Sequence, residues 1–194
     1  GSLSANADSV SFQVSPEDTY TPSRIDPSLD ILEFRADEPS TSPNGDWVLE
    51  IAVAGHVNSF EITASGERTY GFEADYNSDG VADIRIQTIY DGSQYSFTNR
   101  ERSMVLALDS GLVLCFGKLT SSITTIVEKN SLRAANTVQF TISKTCLPPA
   151  PRVNLSAFTV NTDSSIVDLL PESGWVTFQQ LWIKQPLPTF SVAQ

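Results

Sequence analysis

The chain has 194 residues, 40% of them hydrophobic, which suits one substantial core and a single domain. Its 12 Lys and Arg against 23 Asp and Glu leave a net charge of −11, and the basic residues are scattered singly apart from Arg100 and Arg102, so no stripe exists to neutralise phosphates and nucleic acid is excluded as a partner. No apolar run reaches the roughly 18 residues of a membrane span, and no charged segment followed by an apolar one opens the chain, so no signal peptide is read and Gly1-Ser2 reads as a cloning remnant.

In chain order, residues 1–24 are polar and rich in Ser and Pro and read as a partly extended arm, leaving residues 25–194 for one domain. Residues 31–36 alternate as a strand, residues 37–46 form a loop punctuated by Pro39, Pro43 and the Asn44-Gly45 pair, and residues 47–55 return as a second strand. Shorter strands are predicted at 59–63 and 70–74, and again from Asp83 to Tyr90, where Ile84 and Ile86 recur with period two. Residues 94–98, 104–108 and 112–116 continue the series, a short helix is predicted over 123–133, and strands follow at 138–143, 158–160 and 176–181. The Leu147-Pro148-Pro149-Ala150-Pro151 segment reads as a stiff crossover within one domain, because too few residues follow it for a separate core. Strands at this spacing, with almost no helix, predict an all-β antiparallel sandwich of two sheets.

The segment from Asp75 to Asp83 carries the most chemistry. It places side-chain oxygens from Asp75, Asn77, Asp79 and Asp83 at positions 1, 3, 5 and 9, with Gly80 at the sharp bend and the Val81 carbonyl after it. A hard cation such as Ca2+ takes about six to eight oxygen ligands, and alternate residues of a tight turn can aim theirs inward. Position 12 is Ile86 instead of a bidentate glutamate and the flanks read as strands, so the loop is not an EF-hand. The competing reading is a solvated hairpin tip, since Asn, Asp, Ser and Gly all favour turns; Asp83 tips the balance, because a turn does not require it. Asp168 and Glu172, beside a Pro-Glu-Ser-Gly turn, read as loop acids that could serve a second metal. Glu33, Glu50 and Glu73 read as the solvated face of strands.

Cys115 lies in an apolar strand and Cys146 follows another, 31 positions later. The alternatives are two free, buried cysteines and a disulfide between them; the disulfide is the favoured reading, because it would remove loop-closure entropy worth roughly 3 to 4 kcal/mol and suits the oxidising, calcium-rich surroundings outside the cell that the loop also suits. Catalytic signals are sparse. His56 is the single histidine, no Gly-x-Ser-x-Gly elbow occurs, and two cysteines with one histidine at these spacings make no zinc site. A glycosidase pair among the 23 acids is set by fold and not by spacing.

The succession Asp30-Ile31-Leu32-Glu33-Phe34, then residues 47–55, the Asp75 to Asp83 loop, a strand near Val138 and Asp168-Leu169-Leu170-Pro171-Glu172-Ser173-Gly174 resembles bacterial extracellular domains of the DOMON and family-9 carbohydrate-binding-module type over residues 25–180. The resemblance implies a jelly-roll-like β-sandwich whose acidic turn corresponds to Asp75, Asn77, Asp79 and Asp83. The sugar platform of that group has no residue-by-residue match in Trp47, Trp175 or Trp182, and haem ligation as in some DOMON relatives would have to use Met104 and His56, which read as packing or surface residues.

The expected function is a non-catalytic, calcium-binding β-sandwich module, secreted or displayed at the cell surface and binding glycan or protein. Trp47 and Trp182 are its candidates for stacking on a sugar. The alternatives are a structural adhesin or surface-layer domain, marked by a flat charged surface, and a glycoside hydrolase-like enzyme, marked by a deep pocket holding an acid pair.

Overall fold

A computed structural model describes residues 9–13, 26–37, 39, 45–55, 57, 68–88, 101–128, 131–147, 150, 152–161 and 166–179. The strands predicted at 59–63 and 94–98, together with His56 and Trp182, lie outside the described residues. Among the described residues eleven strands follow in order: β1 (Ser9–Gln13), β2 (Ile31–Asp37), β3 (Asp46–Val53), β4 (Arg68–Asp75), β5 (Ile84–Thr88), β6 (Glu101–Ala107), β7 (Val113–Glu128), β8 (Ser131–Ser143), β9 (Arg152–Asn161), β10 (Ile166–Leu170) and β11 (Val176–Gln179). Among the described residues, helix is confined to two 3-10 turns, Pro27–Leu29 and Lys144–Cys146. None is long and apolar enough to cross a membrane, which bears on helical spans alone.

The protein is all-β and antiparallel. Its strands join in one continuous ladder, β1-β2-β3-β8-β7-β6-β5-β4-β9-β10, with β11 on the same side of β9 as β10 but further along it. Residues 123–128 and 131–133 pair as strand ends of β7 and β8 and do not form the predicted helix; Ile126 pairs with Arg133 and Glu128 with Ser131. The run Ile123-Thr124-Thr125-Ile126-Val127 is wholly β-branched, so its stiff side chains favour a pleated strand over a helical turn. The predicted arm also contributes structure, since β1 pairs with β2 from Ser9 to Gln13.

Alternation decides which face is buried. In β3, Trp47, Leu49, Ile51 and Val53 point inward, and in β4 Tyr70, Phe72 and Ala74 do the same. The sheet curls until its ends meet across the core. There Phe34 of β2 stands edge-on to Phe72 of β4 with centroids 5.4 Å apart, and Phe72 stands edge-on to Phe140 of β8 at 5.8 Å. The crossover after β8 lays Leu147 and Ala150 into buried positions on the way to β9, which pairs with β4 along its whole length.

The seam between the two ends is closed by polar groups. The Ile31 N–H donates to Asp168 Oδ2 at 2.7 Å, the Thr159 hydroxyl donates to the Leu29 carbonyl at 2.7 Å, and the Tyr70 hydroxyl donates to the Ser28 carbonyl at 2.6 Å. Asp168 is therefore a buried strand residue and not a loop acid. Replacing it with Ala strands the Ile31 N–H without an acceptor, and we expect a loss of about 1–3 kcal/mol in urea unfolding. Asp168→Asn keeps one acceptor oxygen and should lose less; equal losses would assign the effect to charge and not to the seam bond.

Glu50, expected on a solvated face, is buried between Arg35 and Gln139, which bond its Oε2 at 3.2 and 2.9 Å. The register explains this, because Glu50 is opposite Arg35 on β2 and opposite Gln139 on β8, so two partners from neighbouring strands satisfy one carboxylate. Glu33 and Glu73 are half-buried.

Candidate functional site

The Asp75 to Asp83 loop joins β4 to β5, whose register sets Ala74 opposite Ile84 and Phe72 opposite Ile86. Because these pairs belong to the core, the neck of the loop is fixed by packing. It is closed by Asp83 N–H donating to the Ala74 carbonyl at 2.8 Å, and it is tied to the β6–β7 turn by Leu108 N–H donating to the Asp83 carbonyl at 2.9 Å.

Inside the loop each predicted side chain turns back onto the backbone. Asp75 Oδ1 accepts from Asn77 N–H at 3.2 Å, Asn77 Oδ1 from Asp79 N–H at 3.1 Å, and Asp79 Oδ1 from Val81 N–H at 2.8 Å. This succession of Asx turns follows from the two-residue spacing, which brings each carboxylate or amide oxygen beside the N–H two positions on. Asp75 Oδ2 reaches across the loop to Gly80 N–H at 3.0 Å, and Asp83 Oδ2 accepts from Tyr76 N–H at 2.8 Å. The bend needs two left-handed residues, Ser78 at φ 60° and Gly80 at φ 85°, and glycine removes the steric cost at the second.

The five predicted ligands fall into three environments. Asp75 is 1% exposed at the end of β4, Asp83 is half-buried, and Asn77, Asp79 and Val81 are open to solvent. Burial pushes the Asp75 carboxyl upward, but hydrogen bonds from Gly80, Asn154, Ser78 and Asp79 outweigh it and hold the group below its ordinary 3.8. Its stabilising contribution is thus present above that value and is lost as pH falls through the lower, folded one. Burial first, and then the Asp83 charge, push the Tyr76 hydroxyl far above its usual range, so it stays protonated; it is buried without an acceptor among the described residues.

Among the described residues no three His, Cys, Asp or Glu side chains stand grouped as a metal-binding set. The loop oxygens are held by the loop's own N–H groups, and these bonds leave Asp79 Oδ2 and Asp83 Oδ1 without hydrogen-bond partners among the described residues. The donor set is all oxygen, as a hard cation requires. Asn154 was not foreseen: its Nδ2 donates to Asp75 Oδ2 at 3.3 Å while its Oδ1 accepts from the Thr177 hydroxyl at 2.7 Å. No local signal marks it, since it reaches Asp75 only through the β4–β9 pairing.

Asp168 lies opposite Thr159 on β9 whereas Asp75 lies opposite Asn154, towards the other end of that strand, so Asp168 is not brought to the loop. Glu172 is exposed in the turn after β10. Trp47 is 1% exposed, so its indole has no face open to a sugar, a correction that follows from its sharing the inward side of β3 with Leu49 and Ile51. Its Nε1 finds no acceptor among the described residues. Cys115 and Cys146 are joined as a disulfide with Cα atoms 5.8 Å apart. Compared with known proteins, the chain matches no family model, no curated protein and no solved structure.

Proposed function

We propose that the protein is a non-catalytic, calcium-binding β module acting outside the cell or at its surface, where it binds a glycan or a protein partner. The observation that supports this most directly is the Asp75 to Asp83 loop, in which one buried and two more accessible carboxylates and an amide oxygen occupy alternate or closing positions of a turn pinned at both ends to the core. Calcium would take side-chain oxygens from Asp75, Asn77, Asp79 and Asp83 and the carbonyl of Val81, offsetting repulsion among the three aspartates. The disulfide agrees with an oxidising compartment. The partner class rests on the resemblance to DOMON and family-9 carbohydrate-binding domains.

Calcium that binds only the folded state raises the melting temperature. Extracellular modules bind with dissociation constants of about 10⁻⁴ to 10⁻³ M, so at ~100-fold excess over that constant the gain is about 2.7 kcal/mol, or roughly 5–10 °C for a chain of this size. Magnesium should give less, because it demands shorter octahedral bonds and releases water reluctantly. Asp79→Ala should remove the calcium response while leaving a folded protein. Coincident melting curves in EDTA and in excess calcium would show that the loop is a turn and nothing more.

A further inference from the structure

We propose that the outer face of β4, β5 and β9 holds a binding site for a monosaccharide-sized carboxylate, such as an acidic sugar, with Arg85 as its anion-binding group. It deepens the glycan-binding part of the reading above and is independent of the calcium part. The site is a depression of about 290 Å³ lined by Thr69, Arg85, Gln87, Phe158, Val160 and Ile166. That volume lies at the small end of ligand sites, which start near ~300 Å³, and fits one sugar ring better than a chain of them.

The backbone register builds it. Gly71 of β4 sits between Gln87 of β5 and Phe158 of β9, and a Cβ there would stand 2.6 Å from the Phe158 ring. Glycine therefore lets the ring settle against β4, where it forms a buried floor. The Arg85 guanidinium lies over that ring, 5.2 Å from its centroid. Val160 and the 52% exposed Ile166 supply an apolar wall, and Thr69 and Gln87 supply groups that can bond hydroxyls.

The charge is what selects the ligand. Among the described residues, Arg85 is the one charged residue lining the depression, in a chain of net charge −11. Its ion pair with Glu73 is 3.6 Å long, beyond the roughly 2.7–2.9 Å of a charge-assisted hydrogen bond. Its Nε is buried without an acceptor among the described residues, while the side chain as a whole is 36% exposed. The guanidinium is thus oriented by stacking, reachable from solvent and short of acceptors. A planar fork in that condition matches a carboxylate, which can displace the long contact to Glu73 and take two parallel N–H bonds. The apolar wall then meets the C–H face of the ring that carries the carboxylate.

The test is a titration of the full ¹⁵N-labelled chain with glucuronate, with glucose and acetate in parallel. Glucuronate should shift the amides of Thr69, Arg85, Gln87 and Phe158 saturably, and Arg85→Met should weaken it about ten-fold or more while the rest of the spectrum is retained. Arg85→Lys, which keeps the charge and loses the fork, should fall between. Glucose binding as tightly as glucuronate would overturn the role of Arg85, and acetate binding as tightly would overturn the role of the ring. An unmoved spectrum, or an Arg85→Met protein that binds like the parent, would overturn the site itself. Each titration is repeated in EDTA, where the shifts should persist; a protein that responds to calcium but not to glucuronate refutes this site alone, and the reverse refutes the calcium loop alone.

Discussion

Replacing Cys115 and Cys146 together with Ala should lower the free energy of unfolding by about 4 kcal/mol, which for a chain of this size is roughly 8–16 °C in melting temperature. The two cysteines are 31 residues apart and close a loop that contains all of β8 and β7 from its third residue onward. In the unfolded chain the bridge forbids most conformations of that loop, and this is where the stabilisation arises. Both side chains are only half-buried, so shortening them removes little packing. Reducing the parent protein should therefore reproduce most of the variant's loss. A double variant that melts with the unreduced parent would show that the bridge adds nothing to the folded balance.

Phe72→Ala should cost as much or more, about 3–5 kcal/mol. Phe72 is fully buried on β4 and is the ring that links the two sides of the core, edge-on to Phe34 of β2 and to Phe140 of β8. Each such pair adds about 0.5–1.5 kcal/mol beyond the area it buries. Removing the ring opens a cavity where the curled sheet closes. Phe72→Leu keeps most of the volume and should cost far less. Chemical denaturation of both variants checks this, and equal losses would mean that ring geometry matters and volume does not.

What could be read from the residues alone divides by distance along the chain. The turn chemistry of the Asp75 to Asp83 loop was legible because its side-chain bonds span only two to seven positions, and spacing alone dictates Asx turns. The strands were legible where alternation was clean, as in residues 47–53, and that same alternation places Trp47 with Leu49 and Ile51, a signal that already argued against an open sugar platform. The segment 123–133 was misread because a short run without alternation looks alike in either period, and its β-branched content was the better guide. Glu50, Asn154 and Asp168 could not be read at all. Each is satisfied by a group from a strand that neighbours it only in the folded sheet, and nothing local to a lone carboxylate or amide announces that neighbour. The Arg85 depression belongs with them, since it exists only where β4, β5 and β9 lie side by side.

The order of strands also governs when the molecule can come together. The pairs β4–β5, β5–β6, β6–β7 and β7–β8 are neighbours in sequence and can zip as each strand appears, because short loops close at small entropic cost. β3 must wait for β8, β4 for β9, and the bond from Ile31 to Asp168 links residues 137 positions apart. An emerging chain therefore carries β2 and β3 with their apolar faces uncovered until nearly the whole of this stretch has been made. A domain knitted in this way has no half that can stand alone: removing β10 leaves the first strands without their last partner, and a cut anywhere between β3 and β8 separates two edges that only the finished sheet brings together.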